Sequence, residues 1–350
     1  MTLHLRRMIC VGAAVFSATA TTAVASASAT TISEAGSSLA YPLVSIWQNH
    51  YSAATIAPAA GGSGLGITDI QANSVDIGAS DAPMTSSQLS GDSHSPVEIP
   101  WALTATGIGY NIPGIKSGLK LSATILAEIY TGKISNWGNK AIVALNKNYS
   151  KALKKAGKIT PVFRSDGSGD SFAFQNFLFK GAPKHWKTAP STAFAGTTGE
   201  GENGNAGVAG EVHSNAGTIG YISAAYLIQQ HIHVAEIENA AGVFELPNGT
   251  NIAAAAASDS SIPAQGSTFT NDLGVPIQYP SKKYKTAYPI STYTYAIVNT
   301  SGTPKSGSVS DIKAFLSWAT TTGQAYGGTL DFVPLPAKIR SADAKIISSI

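Results

Sequence analysis

Short alternating apolar runs and segments with apolar residues three or four apart succeed one another along the chain. Residues 31–36, TISEAG, alternate as a strand, and the SSLAYPLVSIWQNHY stretch after them sets Leu43, Ile46, Trp47 and Tyr51 at helical spacing behind a serine at the cap position. The same sequence of events recurs at TIAPAA (55–60), a strand, followed by GGSG, a turn, and LGITDIQAN, a helical period. A third joint runs from ITPVFR through SDGSGD into a helix in which Ala173/Phe177 and Phe174/Leu178 stack four residues apart. All three joints carry serine, glycine or both.

Other segments continue the alternation. VDIGAS (75–80) is a strand ending at Asp81-Ala82-Pro83, and ATGIGYNIPG (105–114) is a strand closed by a Pro-Gly turn. LSATILAEIYTGK predicts a helix with Ser122 as N-cap and Gly132 as its stop. TGEGENGNAGVAGEV (198–212) reads as a loop leading into a helix, AGTIGYIS (216–223) and YPISTYTYAIVN (288–299) as strands, and VSDIKAFLSWATT (309–321) as an amphipathic helix. The Ala-rich NIAAAAASDSS (251–261) reads as a surface helix. Strands alternating with helices predict α/β layers, in which ligands bind beyond the strand C-terminal ends.

The N-terminus breaks the pattern. Arg6 and Arg7, the short apolar run VGAAVF and the small-residue sequence AVASASA form a signal peptide over residues 1–29, cleaved after Ala25, Ala27 or Ala29. The run is too short to span a bilayer. Cys10, the only cysteine, precedes it, so neither a lipidated cysteine nor a disulfide is expected in the mature chain. Of the 350 residues, 43% are hydrophobic and only 12% charged, enough apolar content for two domains held by packing more than by surface ion pairs. Cleavage removes two of the 23 basic residues and leaves them nearly balanced against 20 acidic ones, which excludes the basic footprint of a nucleic-acid binder.

The chemistry concentrates in FRSDGSGDSFAFQNFLF (163–179), where an arginine and two aspartates precede an apolar helix. A buried tetrahedral oxyanion needs every oxygen satisfied. Arg164 offers a planar fork of donors, Ser38, Ser63 and Ser168 offer hydroxyls, and the backbone at the joints offers N–H groups. A carboxylate only accepts, so Asp81 and Asp170 suit a ligand that carries a proton of its own, as phosphate does near neutral pH and sulfate does not. Plainer roles compete: Asp170 as a helix-dipole partner, Arg164 paired with Asp166 or Asp170, and the serines as caps.

AGSSLAYP, GGSG, ANSVDIGASDAPM, LSATILAEIYTGKISNW, FRSDGSGDSF, GNAGVAGEV, AGTIGYIS and YPIS, in this order, resemble the phosphate-binding protein (PstS) family of ABC-type phosphate uptake systems over nearly the whole mature chain. The resemblance implies a two-domain periplasmic-binding-protein fold (type II) whose chain crosses between domains near Leu103 and Tyr288. Domain 1 would comprise 30–103 plus 288–350, and domain 2 would comprise 104–287. It further implies phosphate contacts at Ser38, the backbone of Leu39, Ser63, Asp81, Arg164, Ser168, Gly169 and Asp170, with no metal, cofactor or catalytic residue. Leu39 stands where the best-known members have Phe, and Asp170 where many have Thr, which bears on the protonation state of the bound phosphate. The implied protein is an exported monomer, periplasmic or at the outer face of the membrane or cell surface, that delivers inorganic phosphate to an ABC permease.

Two other classes compete. A phosphate-ester hydrolase would draw on His213, His231 or His233 as a base, but GGSGL lacks the last glycine of a G-x-S-x-G elbow. A surface adhesin or scaffold could keep the fold without transport.

Overall fold

A computed structural model describes residues 30–258 and 277–350. The signal peptide with Cys10 and its cleavage residues, and the end of the Ala-rich stretch, lie outside the described residues. The strands are β1 (Thr31–Gly36), β2 (Thr55–Ala60), β3 (Ile77–Ser80), β4 (Pro96–Tyr110), β5 (Lys120–Leu121), β6 (Thr160–Arg164), β7 (Glu200–Glu202), β8 (Thr218–Ser223), β9 (His233–Val234), β10 (Glu236–Glu238), β11 (Phe244–Glu245) and β12 (Ser291–Asn299). The order β2-β1-β3-β12-β4-β8-β6-β7 forms one continuous hydrogen-bonded path, with β9 beside β4, while β11-β10-β5 is a separate small sheet.

Two α/β lobes share this path. In the first, β1 pairs in parallel with β2 and β3, and β12 runs antiparallel to β3 and β4. In the second, β6 pairs in parallel with β7 and β8, and β8 runs antiparallel to β4. The long β4 joins them: it pairs with β12 up to Ala105 and with β8 from Thr106 to Tyr110. The sequence pattern places a strand only from 105, whereas β4 starts at Pro96. Pro100 hides the earlier half, because a proline donates no ladder hydrogen bond and weighs against a central strand. The sheet accommodates it with a register shift between Thr294 and Tyr295, opposite Pro100 to Ala102.

The helices after β1, β2 and β6 form where the apolar spacing places them, whereas Lys140–Leu145, Ser150–Ala156, Ala224–Gln229 and Ala337–Ser349 are helices that the sequence pattern does not mark. Helix Tyr41–His50 buries Leu43, Val44 and Trp47, and the Trp47 ring meets Trp101 edge-on at 5.5 Å. Its serine is not the cap: the N-cap position is Ala40, with no side-chain cap, and the Ser37 hydroxyl instead accepts from the N–H groups of Leu39 and Ala40. Helix Ala123–Tyr130 does carry its predicted Ser122 cap, and Gly132 beyond it takes the positive φ of 76° that ends such a helix without a Cβ penalty. The Ala-rich segment is helix Gly249–Ala256, and it is more than a surface helix: Ile252, Ala255 and Ala256 are buried. The 198–212 stretch holds β7 before helix Gly204–Ser214. No helix among the described residues is long and apolar enough to cross a membrane.

Candidate functional site

The C-terminal ends of β1, β2 and β3 face those of β6, β7 and β8 across the junction between the lobes, and all eight predicted site residues are buried there. In the first lobe β3 ends at Ser80, and Asp81 follows it directly. Its Oδ1 accepts from the Ser37 hydroxyl at 2.5 Å and its Oδ2 from Ser63 at 3.2 Å, while its own N–H donates to Ser63 Oγ at 3.0 Å. No cation touches this carboxylate directly in these contacts. Burial and the charge of Asp170 therefore push it up to about 7, against the opposing pull of Ser37, Arg164 and Ser63.

In the second lobe β6 ends at Arg164, whose side chain is almost wholly buried. Its Nε donates to Asp166 Oδ1 at 2.7 Å, its Nη2 donates to Asp166 Oδ2, and its Nη1 donates to Asp170 Oδ2 at 3.0 Å. Burial alone would lower the guanidinium, but the hydrogen bond to Asp166 and the charges of Asp170 and Asp166 reverse that and hold it cationic. Asp170 collects two further donors, Thr106 Oγ1 to Oδ1 and Asn205 Nδ2 to Oδ2, both at 2.6 Å. Burial leaves it raised on balance, against the opposing pull of Arg164, Thr106 and Asn205. Asp166 is held low by Arg164 despite its partial burial, with the Gly204 N–H adding a donor at 3.0 Å.

The lobes touch through this cluster. The Gly169 N–H donates to Ser63 Oγ at 3.0 Å and the Gly64 N–H to the Gly167 carbonyl at 2.8 Å. Glycine at 169 is a matter of space: a Cβ there would lie 2.4 Å from Asp81 Cβ and 2.7 Å from Ser63 Oγ. Ser38 Oγ accepts from both the backbone and the side-chain N–H of Asn205, each at 3.1 Å. Ser168 acts as the N-cap of helix Gly169–Gly181, its hydroxyl accepting from Ser171 N–H at 3.2 Å, so the plainer cap role holds for it. Of the plainer roles for Arg164, both pairings occur, but buried rather than on the surface.

Sequence reasoning missed four members: Ser37, Thr106, Asn205 and Tyr221, whose hydroxyl accepts from Arg164 N–H at 2.9 Å and pairs with Ser171 at 2.7 Å. Only Asn205 had a visible signal, as the one polar side chain in GNAGVAG. The histidines considered as bases take no part in these contacts. His213 packs against the Gln230 carbonyl at 3.1 Å and His233 lies on β9, 6.2 Å from the Tyr110 ring. Among the described residues no group of three or more His, Cys, Asp or Glu could hold a metal ion.

A fold of two α/β lobes around a buried polar cluster at their junction defines the class of periplasmic-type solute-binding proteins, and the family model for the PBP superfamily domain matches residues 19–322. The chain is 35% identical over 324 residues to the phosphate-binding protein PstS of Haemophilus influenzae, covering 90% of this chain and 92% of that protein. It is 34% identical over 314 residues to PstS of Xylella fastidiosa, covering 88% and 82%. Among solved structures, the phosphate-binding protein of Stenotrophomonas maltophilia superposes with a TM-score of 0.69 at 20% identity, covering 90% of this chain and 93% of that one. The phosphate-bound periplasmic protein PfluDING matches with the same score and identity over 89% and 92%, a likeness of fold. The chain belongs to the PBP superfamily and, within it, to the PstS family of phosphate-binding proteins.

Proposed function

We propose that this protein captures inorganic phosphate outside the cytoplasm and delivers it to the membrane permease of an ABC uptake system. It is a binding protein and not an enzyme. The observation that carries the reading is the junction cluster: a buried arginine held cationic, hydroxyls and N–H groups from both lobes, and two carboxylates of unequal partnering. That combination suits an anion that can also donate protons. The PstS relatives, alike over most of both chains, support phosphate as that anion.

In this reading phosphate is held by Ser38, the Leu39 N–H, Ser63, Arg164, Ser168, the Gly169 N–H and the two acids Asp81 and Asp170. The lobes comprise 30–103 plus 288–350 and 104–287. Support comes from the exchange of β4 partners between Ala105 and Thr106, and from the Thr106 N–H bonding the Ile290 carbonyl just before β12. These two adjacent segments form the hinge. The protein acts as a monomer, its signal peptide removed after Ala25, Ala27 or Ala29.

Calorimetric titration of the mature protein with phosphate and with sulfate at two pH values tests the assignment. Saturable phosphate binding with sulfate silent is the expected outcome, with a ligand-dependent rise in Tm following RT ln(1 + [L]/Kd). Silence toward both anions would leave a scaffold or a different ligand. Light scattering of the same sample checks the monomer, and mass spectrometry of the exported chain fixes the cleavage point.

A further inference from the structure

Asn205 occupies a position that no ligand role explains. It is fully buried in the first turn of helix Gly204–Ser214, and every polar atom of the residue that faces the junction is engaged. Its Oδ1 accepts from the Ser223 N–H at 2.7 Å. A backbone N–H can only donate, so this bond fixes which way the amide points and commits Nδ2 to the other side. There Nδ2 donates to Asp170 Oδ2 at 2.6 Å and to Ser38 Oγ at 3.1 Å, and the Asn205 N–H donates to the same Ser38 Oγ at 3.1 Å.

We propose that Asn205 is the positioning residue of the phosphate site: it fixes Ser38 as a donor toward the ligand, holds the Asp170 carboxyl in place against Arg164, and bridges the two lobes in doing so. This rests on the phosphate reading of the same cluster. Two N–H groups occupy the two acceptor lone pairs of Ser38 Oγ, and its own O–H is what it can still offer. On the other side, Asp170 receives three donors, from Arg164, Thr106 and Asn205, against two hydroxyls on Asp81. Asp170 thus divides its oxygens between the arginine and the ligand, and Asp81, with no cation on it, is the freer carboxylate to read the protons of the ligand. Gly204 extends the brace, since its N–H holds Asp166, the other partner of Arg164.

Asn205→Asp tests this at nearly constant shape. Its new oxygen would face Asp170 Oδ2 at about hydrogen-bond distance, and two carboxylates so close must share a proton. The charged groups around the pair are Arg164 and Asp166 on the same turn and Asp81 across the junction, with the phenols of Tyr221 and Tyr226 nearby. Phosphate affinity, by calorimetry, should fall by about 30-fold or more at pH 8 and recover much of that at pH 5, where the shared proton restores a donor. Asn205→Ala keeps the backbone bond to Ser38 and should lose about tenfold at both pH values. A loss of less than about threefold in both variants, or an Asn205→Asp loss that does not change with pH, overturns the proposal.

Melting without ligand supplies a second, independent readout. The Tm deficit of Asn205→Asp against the parent should be small at pH 5 and widen by pH 8, and an equal deficit at both also overturns it. If the parent itself binds no phosphate, the phosphate reading fails, while this pH-dependent deficit still decides whether Asn205 braces Asp170. Should Asn205→Asp not fold, the affinity and melting of Asn205→Ala carry the test, and parent-like values in both defeat it.

Discussion

The two lobes each bring one buried aspartate to the junction, and they surround it differently. Asp81, directly after β3, is met by two serine hydroxyls, whereas Asp170, at the start of helix Gly169–Gly181, is met by a guanidinium, an amide and a threonine. Both carboxylates are equally out of water. Burial is therefore not what separates them; the charge of the donors is. A hydroxyl donor stabilises the ionised form modestly and a contacting cation does so far more, which leaves Asp81 able to exchange a proton near neutrality while Asp170 serves to hold Arg164. In the proposed phosphate reading, one lobe thus supplies proton reading and the other supplies countercharge.

The largest break in this arrangement is Arg164→Ala. It removes the countercharge and strands Asp170 and the half-buried Asp166, and phosphate affinity should fall by more than ~100-fold with several kcal/mol of stability lost, on the order of 3–5 for a broken buried pair. Calorimetry and thermal melting check both, and near-parental binding would show that the cation lies elsewhere. Asp81→Asn acts on the other lobe. An amide can turn its N–H₂ toward an unprotonated oxygen, so discrimination between phosphate and sulfate should shrink by about tenfold or more. Continued exclusion of sulfate in that variant would move selectivity to cavity size.

The pH dependence of stability sharpens the comparison without any substitution. Burial raises Asp81 to about 7 and Glu34, Glu98 and Asp343 to about 8. A carboxyl whose folded pKa lies above its unfolded value contributes stability that is complete below the unfolded value and is lost as pH climbs through the folded one. Tm measured by scanning fluorimetry should consequently be several degrees higher at pH 5 than at pH 9. At the acid end Asp76 and Asp166, both lowered in the fold, lose their contribution as pH drops through their folded values, and this sets the lower edge of the plateau. A Tm that rises from pH 5 to pH 9 would contradict the burial of these four carboxyls away from any contacting cation. The smallest effect is expected from Ser37→Ala, which takes one hydroxyl from Asp81 and the acceptor from two N–H groups at the start of helix Tyr41–His50. A loss of about 1–2 kcal/mol in denaturant melting, with Arg164 pairing intact, is the outcome to look for.

The sequence by itself determined the α/β class, because periods of two and of 3.6 alternate cleanly, and most of the elements at the joints. Strands β1, β2, β3, β6, β8 and β12 and the helices after β1, β2 and β6 lie where the apolar spacing places them. It also exposed Arg164, Asp81 and Asp170, since charged residues amid small residues at strand ends stand out in a chain with few charges. Tertiary structure alone decided what those groups do. Thr106 sits 64 residues from Asp170 and Asn205 sits 167 from Ser38, and no local pattern encodes a contact that closes only when two lobes meet. The first half of β4 was illegible for a related reason: Pro100 weakens the local strand signal, and burial between β12 and the core overrides it. Hydrophobic periodicity is a property of neighbours along the chain, whereas the protonation and polarity of a buried group depend on neighbours in space.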